Sequence, residues 1–262
     1  METFHYALIF ALILGLCVGS FLNVVIYRVP NKMNIAKPDS HCPKCKNPIK
    51  WYDNIPVLSY IILGGKCRHC KEKISFRYTL VEILNALLWV LSVVMSWERS
   101  IFYTVLVALA CSILICVFFV DLEHMIIPDS FQVALLVVAI AGLFVNIDPD
   151  NGWQSKLLGF AVAGGLFLVL HYGCIILLKK EGLGGGDVKL IAVAGLLLGT
   201  VYSIISILIS SVIASLVLLF IKRVKNFDKN KEYPFAPFLV VGILLSLFFG
   251  YYMYNEYIAL IS

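Results

Sequence analysis

The chain has 262 residues, of which 61% are hydrophobic and only 14% are charged, and its mean hydropathy is +0.92. A soluble domain is roughly half apolar and a quarter charged, so this composition excludes a soluble globular protein and indicates an integral membrane protein. The formal net charge is +5, but no nucleic-acid-binding motif accompanies it. We therefore expect no nucleic-acid partner, and we attribute the basic residues to orientation in the bilayer and to attraction by anionic lipid headgroups.

Runs of about 20 apolar residues predict an all-α, polytopic integral membrane protein with about eight transmembrane helices. The first run, Tyr6 to Ile26, has no basic region before it and no small-residue cleavage site after it, so it is interpreted as a retained span and not as a signal peptide. The segment 188–199 is short for a full crossing, which leaves seven spans as an alternative, and Gly199-Thr200 marks a turn after it. The predicted spans are 4–27, 79–97, 101–120, 130–147, 156–178, 188–199, 201–221 and 235–254.

The positive charges indicate how the spans are oriented. Segments 28–78, 179–189 and 222–231 hold 11, 3 and 5 Lys or Arg residues, and with eight spans all of them fall on one side of the membrane. Only Arg99 and Lys156 fall on the other side, whereas seven spans would put 222–231 on the wrong side. By the positive-inside rule the basic side is cytoplasmic. The sequence therefore predicts a multi-pass protein of the cell (inner) membrane with both termini outside.

The segment 28–78 contains two C-x-x-C pairs with 21 residues between them. Four thiolates at this spacing, just outside the usual ribbon range, can close a tetrahedral zinc site, and the metal would supply folding energy to a segment too small for a large core. Two disulfides or four free thiols are the alternatives, and a cytoplasmic position disfavours disulfides. We predict a structural Zn²⁺ in a small cytoplasmic zinc-ribbon-like insertion, with His41 and His69 as bystanders. Its ligands would be Cys42, Cys45, Cys67 and Cys70. The cysteines inside spans are interpreted as small buried apolar residues: Cys17, Cys111, Cys116 and Cys174.

Two aspartates stand at the edges of long apolar runs, where an ionisable group is expensive and usually functional. Asp121 ends the third span and Asp187 opens the sixth, so topology puts both at the cytoplasmic face although 66 positions separate them. Two carboxylates that meet cannot both ionise easily, so one can act as general acid and the other as general base toward water. Each residue taken alone is also compatible with a helix-end role facing the headgroups.

The neighbouring residues refine this hypothesis. Three glycines, Gly184, Gly185 and Gly186, would let a substrate backbone approach closely and would permit unusual dihedral angles. They also put Asp187 at a helix N-terminus, whose dipole favours the charged form, so we favour Asp187 as the ionised partner. Asp129 precedes Gln132 by three positions, which is a capping-box-like arrangement, and we interpret Asp129 as the cap of the fourth span.

Several stretches of the chain together resemble one known family. They are 19–28 (GSFLNVVIYR), 51–59 (WYDNIPVLS), 77–82 (RYTLVE), 121–129 (DLEHMIIPD), 184–187 (GGGD) and 234–238 (PFAPF), together with the two cysteine pairs. The chain resembles the type IV prepilin peptidases, which are bifunctional leader peptidase and N-methyltransferase enzymes of pilus, competence and type II secretion systems. One departure is Thr79, where the family commonly has proline, and it touches no proposed catalytic group.

The resemblance implies a Gly-x-Gly-Asp type aspartic protease with Asp121 and Asp187 as its catalytic pair. Such an enzyme cleaves the basic leader of a prepilin or pseudopilin after a glycine at the cytoplasmic face. It then methylates the new N-terminal amine with S-adenosylmethionine. The expected organisation is a first transmembrane helix over 1–27, a cysteine-rich zinc-binding loop linked to methyl transfer over 28–78, and a transmembrane peptidase domain over 79–262.

The sequence does not place the methyl-transfer residues. Glu82, an acid just inside the second span, is a candidate for binding the substrate amine or the cofactor, with pairing to a basic loop residue as the alternative. Two other classes of function stay open. A membrane scaffold would recruit pilus or secretion proteins through the cysteine loop. A proton-coupled transporter would use the aspartates as a relay, although it would need them nearer the bilayer centre.

Overall fold

The structure is a computed structural model that describes residues 2–145, 151–179, 183–224 and 233–261. Within these ranges the fold is all-helical, as predicted, with two isolated β-bridges in the loop after the first helix. A short 3-10 helix, Trp51–Asp53, lies in the same loop. The α-helices are α1 (Glu2–Arg28), α2 (Leu58–Ile62), α3 (Phe76–Ser96), α4 (Ile101–His124), α5 (Asp129–Leu143), α6 (Trp153–Leu178), α7 (Gly185–Leu198), α8 (Thr200–Val224) and α9 (Ala236–Ile261).

Six of the described helices are long and apolar enough to cross a bilayer: α1, α3, α4, α6, α8 and α9. The other two apolar helices, α5 and α7, have 15 and 14 residues, or about 22 and 21 Å of length, less than a hydrocarbon core of about 30 Å. The sequence anticipated the short α7, but it predicted a longer α5. The turn at Gly199 is confirmed, since its φ of 86° is one that glycine adopts easily. The protein is a multi-pass membrane protein.

The chain divides into two compact units, Met1–Cys116 and Val117–Ser262, and the boundary falls inside α4. In the first unit, α1 packs closely on α3 through two glycines four positions apart. A Cβ on Gly15 would lie 2.8 Å from Ala86 Cα, and one on Gly19 would lie 2.7 Å from Glu82 Cα. Asn85 donates a hydrogen bond to the carbonyl of Gly15 at 2.7 Å. Small residues thus bring the two backbones together, as membrane helix pairs require.

In the second unit the same principle joins α6 to α7 and α8 to α9. A Cβ on Gly159 or Gly195 would collide with the backbone of the other helix, and one on Gly242 would collide with Ser210. Near the end of α5, the buried Lys156 donates to the carbonyl of Gly142 at 2.7 Å. This hydrogen bond satisfies polar groups that lipid cannot satisfy.

The prediction for the intramembrane cysteines holds in part. Cys111 and Cys116 are buried on α4, as expected, but Cys174 is half-buried and Cys17 is exposed. The interpretation of Cys17 as a buried residue was wrong. Its position lies on the face of α1 away from α3, where a weakly polar thiol is tolerated on an apolar helix.

Candidate active site and metal centre

The four cysteines of the loop after α1 form one cluster. Their sulfur atoms all lie within 4.8 Å of one another, with Cys42 and Cys70 at 3.8 Å and Cys45 and Cys67 at 4.0 Å. A tetrahedral ion with metal–sulfur bonds of about 2.3 Å places its sulfur ligands about 3.8 Å apart. All four are free thiols, so the two-disulfide alternative does not describe this structure. The cluster fits a tetrahedral metal ion.

The two C-x-x-C knuckles have the same backbone geometry, 25 positions apart. The amide of Lys46 donates to the carbonyl of Cys42 at 2.9 Å, and the amide of Lys71 donates to that of Cys67 at 3.1 Å. Both lysines have a φ of 59°, a left-handed conformation that a side chain disfavours. Each knuckle is therefore a tight turn that presents two thiols in the same direction.

The second knuckle is also held from outside. Arg68 donates to Asp53 through Nε at 2.7 Å and through Nη2 at 2.5 Å, and this hydrogen bonding lowers the pKa of the Asp53 carboxyl. Hydrogen bonds from the backbone amides of Cys70 and His69 lower the pKa of the Cys67 thiol to about 7, which favours the metal-binding thiolate. The imidazoles of His41 and His69 are outside the cluster of ligand atoms, in agreement with their interpretation as bystanders.

Asp121 lies in the last turn of α4, and only 6% of it is exposed. Its carboxylate accepts a hydrogen bond from the backbone amide of Ala236, the first residue of α9. Its Oδ2 atom is buried and accepts no hydrogen bond from the residues that the structure describes. Sequence reasoning missed Ala236, although the prolines around it at 234 and 237 are a helix-start signal.

Asp187 lies in the first turn of α7 and is also buried. The backbone amide of Gly184 donates to its carboxylate, and its own amide donates to the carbonyl of Gly184 at 3.1 Å. This reciprocal pairing is that of a capping box, with Gly184 as the N-cap residue. The prediction that Asp187 opens a helix is confirmed.

The two carboxylates, distant in sequence, lie close enough to interact electrostatically. Asp121 and Asp187 are both largely excluded from water, and like charges at such a site favour one shared proton over two ionised groups. Each carboxylate also accepts an amide from a helix N-terminus, α9 for Asp121 and α7 for Asp187. Both carboxylates therefore lie at the positive end of a helix dipole, so the dipole does not single out Asp187 as the ionised one.

The predicted cap of α5 was wrong. The N-cap residue is Pro128, which makes no side-chain capping bond, and Asp129 is instead paired with Lys189 of α7 at 2.7 Å. The amide nitrogen of Gln132 donates to the carbonyl of Gly186 at 3.3 Å, while its Oε1 is buried without a hydrogen-bond partner among the described residues. Gln132 thus belongs to the aspartate site, because it holds the first turn of α7.

The three glycines before Asp187 have different environments. Their backbone needs no unusual dihedral angle, since Gly184 is extended with a φ of −66° and the other two are helical. That expectation was wrong. A Cβ on Gly184 would lie 3.2 Å from Asp187 Oδ2 and one on Gly186 would lie 3.3 Å from Ile127 Cβ, whereas a Cβ on Gly185 would meet no atom of the described residues within 4 Å. Two of the glycines permit close packing, and Gly185 leaves the helix start accessible.

Glu82 is buried in the first unit, with neutral partners. Its Oε2 accepts the backbone amide of Val57 at 2.8 Å, and its carboxylate also hydrogen-bonds with the side chain of Ser20. Val57 has a φ of 62° and a ψ of −50°, which is a genuine outlier for a β-branched residue. Such strain persists where surrounding contacts impose it and is common at functional sites. No sequence pattern indicates a role for Val57.

Two family models match the parts of the chain that contain the cysteine cluster and the aspartates. The family model described as Bacterial Peptidase A24 N-terminal domain matches residues 13–96, and that of the Type IV leader peptidase family matches residues 108–219. The first range contains the four cysteines, and the second contains Asp121 and Asp187. No solved structure matches the chain.

Several curated relatives match along almost their whole length. A prepilin leader peptidase/N-methyltransferase of Neisseria gonorrhoeae is 39% identical over 90% of this chain and 88% of the relative. A protein with the same name from Legionella pneumophila is 34% identical, with 93% and 92% covered, and one from Pseudomonas aeruginosa is 31% identical, with 91% and 89% covered. The chain therefore belongs to the type IV leader peptidase family.

Proposed function

We propose that the protein is a membrane-embedded aspartic endopeptidase that removes the leader of type IV prepilins or pseudopilins and then N-methylates the new N-terminus. The relatives' names give both activities. The observation that carries the peptidase proposal is the burial of two interacting carboxylates, Asp121 and Asp187, at two helix N-termini. Buried paired carboxylates are the arrangement that acid–base hydrolysis of a peptide bond requires.

In the proposed cleavage step the aspartates act as one unit. The ionised carboxylate accepts a proton from a water molecule as the water oxygen attacks the scissile carbonyl carbon. The protonated carboxyl group donates its proton to the carbonyl oxygen, which gives a tetrahedral intermediate. The carboxyl group that gained the water proton then donates it to the scissile nitrogen as the carbon–nitrogen bond breaks, and the other carboxylate takes a hydroxyl proton, which releases the leader as a carboxylic acid and the pilin as an amine. The amides of Ala236 and Gly184 favour the charged form of whichever carboxylate is ionised, so the roles belong to the pair.

The open side of Gly185 supports a position for the substrate. A Cβ there would contact none of the described residues within 4 Å, so an extended peptide can approach the first turn of α7 beside Asp187. The buried Oδ2 of Asp121 and Oε1 of Gln132, which have no hydrogen-bond partner in the described part of the chain, are acceptors that a water molecule or a substrate amide can satisfy. We propose that the enzyme cleaves after a glycine because this small residue fits most easily between the buried carboxylates.

Charge supports the membrane orientation that we propose. The loops that carry 19 of the 21 Lys and Arg residues alternate with the apolar helices so that they fall on one side. The end of α4 and the starts of α5, α7 and α9 belong to that same side. We propose that it is the cytoplasmic side of the inner membrane, with both termini outside, where leaders emerge before assembly by a pilus or secretion apparatus.

We propose that the loop over 28–78 binds a structural Zn²⁺ and has a role in methyl transfer, and that the peptidase domain covers 79–262. The zinc ligands would be Cys42, Cys45, Cys67 and Cys70. The free thiols and their spacing support a tetrahedral metal. S-adenosylmethionine, when bound, supplies an electrophilic methyl group to the amine. The chain must orient that amine and keep it unprotonated.

The experiment that tests this function is a single reaction of the purified full-length protein with a prepilin. The mass of the pilin product is measured with and without S-adenosylmethionine. We expect loss of the leader in both reactions and the gain of one methyl group only with the cofactor. An intact prepilin after incubation with folded, zinc-containing protein would contradict the peptidase proposal, and cleavage without methylation would contradict its second half.

A further inference from the structure

The first unit contains a cavity of about 500 Å³ at the cytoplasmic end of α1 in the proposed orientation. One wall is the face of α1 that carries Ser20, Phe21 and Val24. The other walls are the segment 35–40 and the stretch around Asn54. This volume lies within the range of about 300–1,000 Å³ that is typical of sites for small molecules.

The cavity wall carries charged side chains of both signs. Arg28 is only 6% exposed, and its guanidinium donates to the carbonyls of Asn34 at 3.1 Å, Ile35 at 2.9 Å and Pro38. These bonds use three of its five donors and hold the segment 34–38 over the end of α1. Asp39 follows this segment directly in the chain, and its carboxylate lines the same cavity.

A buried carboxylate behind the cavity joins two of its walls. Glu82 contacts Ser20 on α1 and the amide of Val57, which follows the lining residue Pro56. Val57, whose amide donates to Glu82, has the unusual backbone angles φ 62° and ψ −50°. Backbone strain beside a cavity, next to a buried carboxyl group that is hydrogen-bonded to the strained residue, is typical of a functional site.

We propose that this cavity is the binding site for the methyl donor, S-adenosylmethionine, which deepens the proposed methyl-transfer function and rests on it. The donor has an adenine ring, a ribose and an amino acid with one carboxylate and one ammonium group. The apolar side chains of Phe21 and Val24 provide a surface for the ring. The guanidinium of Arg28 complements the carboxylate, and Asp39 complements the ammonium group or the ribose hydroxyls.

Two other occupants fit the wall less well. A lipid tail would leave both charges of Arg28 and Asp39 without a counterpart. The basic leader of a prepilin would be repelled by Arg28, whose charge is fixed at the wall. The combination of apolar surface with one cation and one anion therefore favours a zwitterionic nucleoside.

The test is equilibrium dialysis of the purified full-length, zinc-containing protein against radiolabelled S-adenosylmethionine. Val24→Trp, which fills the cavity, should weaken binding at least about 30-fold. Val25→Trp is the matched control, since this equally half-buried neighbour does not line the cavity, and it should change binding less than about two-fold. Asp39→Asn should weaken binding about five- to ten-fold, while Glu72→Gln, an exposed loop acid outside the cavity, should not.

Zinc content and melting temperature show whether each variant is folded. If Val24→Trp fails to fold, Asp39→Asn decides, because it preserves the shape of the side chain. Unchanged binding by Asp39→Asn and by a folded Val24→Trp would overturn the assignment of the cavity. A wild-type protein that cleaves prepilin but binds no S-adenosylmethionine would overturn the methyl-transfer function itself. Asp121→Asn should bind the donor as the wild type does, since the cavity lies within the other unit.

Discussion

The cysteine cluster and the aspartate pair are assembled in opposite ways. Each cysteine knuckle is complete within eight residues, closed by a β-bridge between His41 and Pro48 or between Lys66 and Lys73. The aspartate site takes its carboxylates from the end of α4 and the start of α7, and one of its amides from the start of α9. A local turn motif needs a ligand to join its two halves, whereas a site made from helix ends needs the helices packed. The first should therefore depend on metal and the second on helix contacts.

The largest expected effect is on the aspartates. Asp121→Asn and Asp187→Asn should each lower the rate of leader cleavage by about 10²–10⁴-fold, because either change removes an acid–base partner. The double variant should be no worse than either single one, since the two residues act as a unit. Rates from single-turnover digestion of a prepilin measure this. Asp129→Asn is the control, because its side chain is exposed and is paired with Lys189. Additive losses in the double variant would argue for independent roles.

The second prediction is that metal removal affects the cysteine cluster and not the helices. A strong chelator, or Cys67→Ser, should unfold the loop around residues 41–73, because a small loop has little core of its own. We expect one zinc per chain before treatment and new proteolytic cuts within that loop afterwards, with the helical circular dichroism signal nearly unchanged. A loop that stays protected without metal would show that its fold does not depend on the cluster.

The third effect concerns helix packing in the first unit. Gly19→Ala should lower stability by about 1–3 kcal/mol, because its Cβ would overlap the backbone of α3 at Glu82. Gly173→Ala in α6 is the control, since a Cβ there meets nothing within 4 Å. Melting temperatures in detergent report the difference. Equal melting temperatures would mean that α1 and α3 separate easily enough to accept a side chain.

The smallest expected effect distinguishes packing from substrate approach at the start of α7. Gly186→Ala should lower the melting temperature slightly, because its Cβ would contact Ile127 at 3.3 Å. Gly185→Ala should leave stability unchanged and lower kcat/KM for prepilin about ten-fold, because the open side of Gly185 is where we place the peptide. Normal cleavage by Gly185→Ala would show that the substrate does not bind on that side of Gly185.

The sequence predicted those parts that depend on nearby residues. Patterns within short stretches of sequence predict the apolar segments, the turn at Gly199 and the paired cysteine knuckles. The position of Asp187 in a first helical turn was also predicted, from the glycines before it.

What the sequence missed depends on contacts between distant segments. No local pattern shows that the amide of Ala236 meets Asp121, or that Gln132 binds the carbonyl of Gly186. The cap assigned to Asp129 failed for the same reason, since local spacing favoured a capping box while Lys189, 60 positions away, offered an ion pair. The strained Val57 likewise donates its amide to Glu82, 25 positions away.

The most direct test of the account supplies two substrates to the Asp121→Asn and Asp187→Asn proteins. One reaction contains an intact prepilin with S-adenosylmethionine, and the other contains pilin whose leader has already been removed. Mass spectrometry of the pilin reads both reactions. We expect cleavage at least about 100-fold slower than that of the wild type in the first reaction and normal addition of one methyl group in the second. Cleavage of the intact prepilin by either variant at a rate near that of the wild type would contradict the assignment of Asp121 and Asp187 as the catalytic pair.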